Sequence, residues 1–164
     1  MDPRQQILNF IVEQLENISV GAGYTTDMQR VLSGKIIQTD KFSEADRRAL
    51  TQIRFVSQSN SYSGQITLDA EAVYAISASM TNATHDMFVG FLGDIESALA
   101  KSLHMDLFSP VFNVGHYYIS SITIVGSTEY DELNDTFSPD IREQIAEMEL
   151  SVNYTYIPEI LSGS

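Results

Sequence analysis

Apolar residues recur at helical spacing in two stretches of the chain and alternate with polar ones in several others. Ile7, Ile11, Leu15 and Ile18, flanked by Leu8 and Val12, form one stripe and predict a helix over residues 3–19. Asp2 before Pro3 suits its start, a capping carboxylate followed by a residue whose missing N–H costs nothing in the first turn. Gly21 and Gly23 end it, because glycine takes the left-handed geometry that closes a helix. A second stripe, Phe88, Phe91, Leu92, Ile95, Ala98, Leu99 and Leu103, predicts a helix that begins at Thr84. Within it Gly90 and Gly93 each cost about 1 kcal/mol relative to alanine, and both read as positions of close packing against a sheet.

Strict alternation marks strands. Ile66, Leu68, Ala70, Ala72, Tyr74, Ile76, Ala78 and Met80 share one face, and a period of two held this long indicates a sheet buried on that side. Met148, Leu150, Val152, Tyr154 and Tyr156 do the same in the closing strand. Residues 51–57 alternate before the turn-rich stretch 57–61, and residues 28–37 form a short strand or a hairpin with Ser33-Gly34 as the turn. Ser43, Glu44 and Asp46 predict one capped helical turn over residues 43–50, a surface connector. Residues 117–125 are β-rich and apolar on both faces, ended by Gly126 and an acidic loop from Glu129 to Asp135; residues 104–115 read as a loop.

This order predicts an α+β fold: a single layer of mostly antiparallel or mixed sheet with two main helices packed on one face. One domain spans residues 1–157, followed by a flexible C-terminal tail, 158–164. The second face of the sheet is mixed, and Val73, Ala75, Tyr117, Ile119 and Val125 make it either a self-association patch or a surface covered by loops.

Charge changes the picture more than composition does. The chain has 164 residues and a net charge of -13, but residues 1–60 are neutral, with seven acids and seven bases. Residues 61–164 hold the other 15 of the 22 acids, against only Lys101 and Arg142. Such a field repels phosphate and disfavours binding to DNA or RNA. Zero cysteines exclude disulfides, thiolate metal sites and cysteine catalysis. No apolar run is long enough for a membrane span, and the start lacks a secretory signal, so the Asn-x-Ser/Thr triplets at Asn17, Asn82, Asn134 and Asn153 read as chance matches.

Chemistry is sparse. His85, His104 and His116 are far apart and lack the spacing that sets two imidazoles on one helix face. The acidic stretch around Asp131, Glu132 and Asp135 lacks the central glycine and alternating ligands of a calcium loop. There is no nucleophile elbow, Walker loop or dinucleotide fingerprint. The chain therefore reads as a non-enzyme without metal or cofactor.

The distinctive stretch is Gly23-Tyr24-Thr25-Thr26-Asp27, leading through Val31 to Gly34-Lys35 and then to Phe42-Ser43-Glu44-Ala45-Asp46 before a strand. Together with the first helix, the long alternating strand, the central helix and the closing strand 149–156, this order resembles the tail terminator proteins of long-tailed bacteriophages, the lambda-like minor tail protein U group, across residues 5–157. The chain departs from that pattern at Arg47-Arg48-Ala49-Leu50 and in a long segment 104–140. The resemblance implies a homo-oligomeric ring, a hexamer, at the head-proximal end of the virion tail. It would cap the completed tube, stop its polymerisation and offer the surface that joins the head, after assembly in the host cytoplasm. Implied partners are further copies of the chain, the tail tube protein and a head completion or neck protein. DNA would pass through the ring without specific binding, and no membrane is involved. Tyr24, Asp27, Arg30, Lys35, Arg47 and Arg48 are the candidate assembly contacts, and charge reversal at Arg47 and Arg48 is expected to weaken assembly while sparing the monomer's fold. The alternatives are a head completion or neck connector of the same virion, or a small acidic protein-binding module.

Overall fold

A computed structural model describes residues 3–62, 68–106, 117–134 and 142–156. Its centre is one five-stranded sheet in the order β1-β2-β3-β5-β4, with β1 Arg30–Ser33, β2 Leu50–Tyr62, β3 Leu68–Thr81, β4 Tyr117–Asn134 and β5 Arg142–Tyr156. β1 runs parallel to β2, and every other pairing is antiparallel. The main helices are α1, Pro3–Glu16, and α3, His85–Asp106; α2, Glu44–Arg47, is a single turn. The architecture is the expected α+β layer.

Both long helices pack on one face. The alternation of β3 puts Ala70, Ala72, Tyr74, Ile76, Ala78 and Met80 in one core with Ile7, Leu8, Ile11, Leu15 and Ile18 of the first helical segment and Phe88, Phe91, Ile95, Ala98 and Leu99 of α3. Full burial of a side chain such as Phe88 or Phe91 contributes about 1.5–3 kcal/mol, and the small alanines of β3 leave room for the helices to lie close. Tyr74 is fully buried, and its hydroxyl donates to the carbonyl of Arg4 at 2.9 Å, fixing α1 over the sheet. Thr84 accepts from the amide of Met87 through Oγ1 (3.2 Å) and starts α3 as expected.

Several boundaries differ from expectation. The first helix stops at Glu16, and Val20–Ala22 forms a separate 3-10 turn that closes on Gly23 at φ +96°. Of the two alternatives for residues 28–37 the short strand forms, as β1, and not the hairpin: β1 pairs parallel with β2, so Gly34, at φ +115°, opens a crossover. Residues 57–61 are not a turn, because β2 continues through them opposite β3 after a bulge between Phe55 and Ser57. Likewise Gly126 does not end β4. The register jumps from Val125 to Glu129, and residues 129–134, expected as an acidic loop, pair with β5. Residues 104–106, expected in a loop, continue α3 instead. Asp2, Ile66, the rest of that expected loop, Asp135 and the expected tail 158–164 lie outside the described residues.

Among the described residues, one end of the second face is covered. The crossover between β1 and β2 packs there, pinned by Gln52, whose side chain accepts from the amide of Ile37 (2.8 Å) and donates to its carbonyl (2.9 Å). Leu50, Gln52, Ser77, Ser79 and Thr81 are consequently buried, while Glu71 is exposed and Val73 and Ala75 are half-buried. Of the residues expected as a patch on this face, the side chains of Tyr117, Ile119 and Val125 lie outside the described ones. In the backbone register Tyr117 and Ile119 lie opposite Tyr156 and Tyr154, Val125 lies opposite Glu149, and a bulge falls between Ile119 and Ser121.

Candidate functional site

The stretch with the strongest sequence signature folds as a clamped loop over the start of α3. Ser19 caps the 3-10 turn through a bond from the amide of Ala22, and Asp27 Oδ1 accepts from the amide of Val20 at 2.8 Å, closing the loop on itself. Asp94 then ties the loop to the core. Its carboxylate is 6% exposed and accepts from the Thr25 amide at 3.1 and 3.2 Å and from the Thr25 hydroxyl at 2.8 Å. Gly90 makes this approach possible, since a Cβ there would stand 3.2 Å from Thr25 Oγ1. Its close contact is thus with the loop, not the sheet as expected, and Gly93 has open space where a Cβ would sit.

Beside the clamp lies an open cleft of about 670 Å³ with Val20, Thr26, Asp27, Arg48, Met80 and Met87 on its walls. Val20 and Met87 are more than half exposed, at 57% and 53%. The cleft holds hydroxyls, the amides of Gln29 and Asn82 and charged ends beside the apolar Val20, Ala49, Met80 and Met87, a composition suited to contact with another protein surface. A second cleft at the far end of the sheet is lined mostly by polar residues, Ser59, Asn60, Asp69, Glu71, Asn153 and Thr155, with Ala70 and Tyr154.

The six residues expected as assembly contacts separate into two groups. Tyr24 packs against the core, Asp27 holds the loop, and Arg47 is turned inward. The Arg47 side chain is 15% exposed and pairs at 3.4 Å with Glu143, itself 9% exposed, while Thr81 Oγ1 donates to the Arg47 carbonyl. Arg30, Lys35 and Arg48 are exposed. Arg48 shares the cleft with Asp27, and Arg30 stands close by, its amide donating to the carbonyl of Ala49 at 3.2 Å; Lys35 lies past the other end of β1. Arg47 and Arg48 therefore have different roles, one inside the fold and one on its surface.

Asp94 and Glu143 are not among the residues that the sequence singles out. Asp94 left a signal, because it is the one charged residue inside the apolar stripe of α3, three residues after Phe91 and four before Ala98. Glu143 left none, lying among the polar residues Arg142 and Gln144.

Among the described residues no three His, Asp or Glu side chains converge as metal ligands, and no helix is long and apolar enough to cross a membrane. No family model matches the chain, and no curated protein matches it in sequence.

Proposed function

We propose that the chain is a tail terminator of a long-tailed bacteriophage. Copies of it form a ring, a hexamer, on the head-proximal end of the tail, where the ring stops growth of the tube and receives the filled head. What carries this reading is the ordered resemblance over residues 5–157, whose motif 23–27 is the loop clamped by Asp94 next to an open, partly apolar cleft. A rigid loop beside exposed Val20, Met87 and Arg48 suits docking to protein neighbours. The excess of acid in residues 61–164 suits passage of DNA without adhesion. The role needs neither a cofactor nor a catalytic group.

Gold-labelled antibody against the chain, applied to particles from infected cells, tests the placement. Label is expected at one end of finished tails that have not joined heads, and at the head–tail junction of complete virions. Label on free filled heads but not on free tails would assign the chain to the neck, and unlabelled particles would remove it from the virion.

A further inference from the structure

From Arg30 to Arg48 no residue is buried, although this stretch, β1 and the crossover after it, covers one end of the second face. α1, α3, β2, β3 and β5 all place side chains in the buried core. The ends of the stretch meet at one anchor: the amides of Gln29 and Arg30 donate to the carbonyl of Ala49 at 2.9 and 3.2 Å, and Ala49 belongs to that core. The chain leaves the core and returns to it at the same point, so what lies between can move without parting the elements on either side. Its attachments are mostly polar. β1 is in register with Leu50–Ile53, the Gly34 amide donates to the Ile53 carbonyl at 2.9 Å, Gln52 holds Ile37, and Arg47 meets Glu143. Val31 is half-buried against the rim of the core.

The groups beneath the stretch also favour its release. Gln52, Ser77, Ser79, Thr81 and Glu143 are polar, and Leu50 is the one buried apolar residue, among the described ones, outside the helix-side core. Polar groups regain hydration when uncovered, so baring them costs less than baring an equal area of apolar core. Glu143 Oε1, buried with no hydrogen-bond partner among the described residues, accepts from water once it is reached. We propose that residues 30–48 form a strap that opens as one unit while the helices and the rest of the sheet stay folded. Closed, the strap occupies the outer edge of β2 over Leu50–Ile53; open, it leaves those backbone groups as a ladder free to pair with another strand. The Asp94 clamp on Thr25 lies outside the strap and holds the preceding loop in place during opening. The opening is a property of a single copy and does not depend on the function proposed above.

Residue-resolved amide exchange on the full chain, at urea concentrations below the unfolding transition, tests the strap. After correction for intrinsic rates, the amides of Gly34 and Ile37, bonded to the Ile53 carbonyl and to the Gln52 side chain, are expected to share one opening equilibrium. They should exchange about tenfold or more faster than the amides of Ile76 and Ala78 in β3, and with a weaker dependence on urea because less surface is exposed. A variant in the core separates local from global opening. Ile95 is fully buried on α3, and Ile95→Val weakens the closed and the strap-open states alike. Exchange in β3 should then rise several-fold while Gly34 and Ile37 keep their parent rates. Exchange at Gly34 and Ile37 as slow as in β3, different opening equilibria for the two, or their acceleration in parallel with β3 in Ile95→Val would overturn the proposal. The parent measurement alone decides the first two outcomes, whether or not the variant folds.

Discussion

Arg47→Ala is expected to destabilise the fold by about 3 kcal/mol, the cost typical of removing one partner from a buried ion pair. The pair joins the crossover between β1 and β2 to the first residues of β5, across the end of the second face. Without the guanidinium, the Glu143 carboxylate keeps its place beside Thr81 and Leu133 in the ladder but loses its counter-charge. Its Oε1 is already buried with no hydrogen-bond partner among the described residues. Urea unfolding measures the effect, with Arg48→Ala alongside. Arg48 is exposed, and its truncation should stay within about 0.5 kcal/mol of the parent. Combining Arg47→Met with Glu143→Leu should recover most of the loss, because two apolar residues leave no buried charge. Equal stability of Arg47→Ala and Arg48→Ala would show that the ion pair does not hold the crossover down.

Asp94→Ala should cost about 2 kcal/mol, the range for hydrogen bonds to a charged group whose partners are then left short of acceptors. The carboxylate joins Thr25 to α3 through both the amide and the hydroxyl of Thr25. The change should therefore be local as well as global. Amide exchange at Thr25 and at Tyr24, whose N–H donates to the Ser19 carbonyl, is expected to accelerate more than exchange within β3. Asp94→Asn should fall between parent and alanine, since it keeps one acceptor oxygen. Unchanged exchange at Thr25 in Asp94→Ala would mean that the loop is held by its own Ser19 and Asp27 bonds alone.

The two predictions divide the candidate contacts. Loss of assembly through Arg47 or Asp94 would be a consequence of weakened folding, whereas loss through Arg30 or Arg48 would report on the surface. The comparison needs only stability data beside association data for the same variants.

Elements with regular periodicity were legible in the sequence for a simple reason. In α1, α3 and β3 the apolar core residues follow one unbroken period, from Ile7 to Ile18, from Phe88 to Leu99 and from Ala70 to Met80, although Ser77, Ser79 and Thr81 between and beyond the last of these are buried as well. β4 was harder because it is bulged. Its apolar residues fall first on odd positions, Tyr117 and Ile119, and then on even ones, Ile122 and Ile124, whose backbone partners are Tyr156, Tyr154, Val152 and Leu150 in turn. Without the bulge the same residues look apolar on both faces. A bulge in β2 hides the strand in a similar way, since Val56 is the extra residue and the serines beyond it resemble a turn.

The parallel pairing of β1 and the polar clamps were not legible for a different reason. Four residues are too few to state a partner, and Ser33-Gly34 signals a change of direction without saying where the chain goes. Gln52 and Glu143 become structural only when a distant segment covers them, the crossover in both cases. Asp94 and Thr25 are 69 residues apart, and only the packing of the loop on α3 brings them together. The motif at 23–27 thus marked the right place, but its physical content lies in a residue far along the chain.

The most direct test of the capping role is the length distribution of tails, measured by electron microscopy, when a phage that encodes this chain replicates without it. Tails that overrun the normal length without a defined stop, beside filled heads that stay unjoined, are the predicted result. Tails of normal length, whether joined to heads or not, would contradict it.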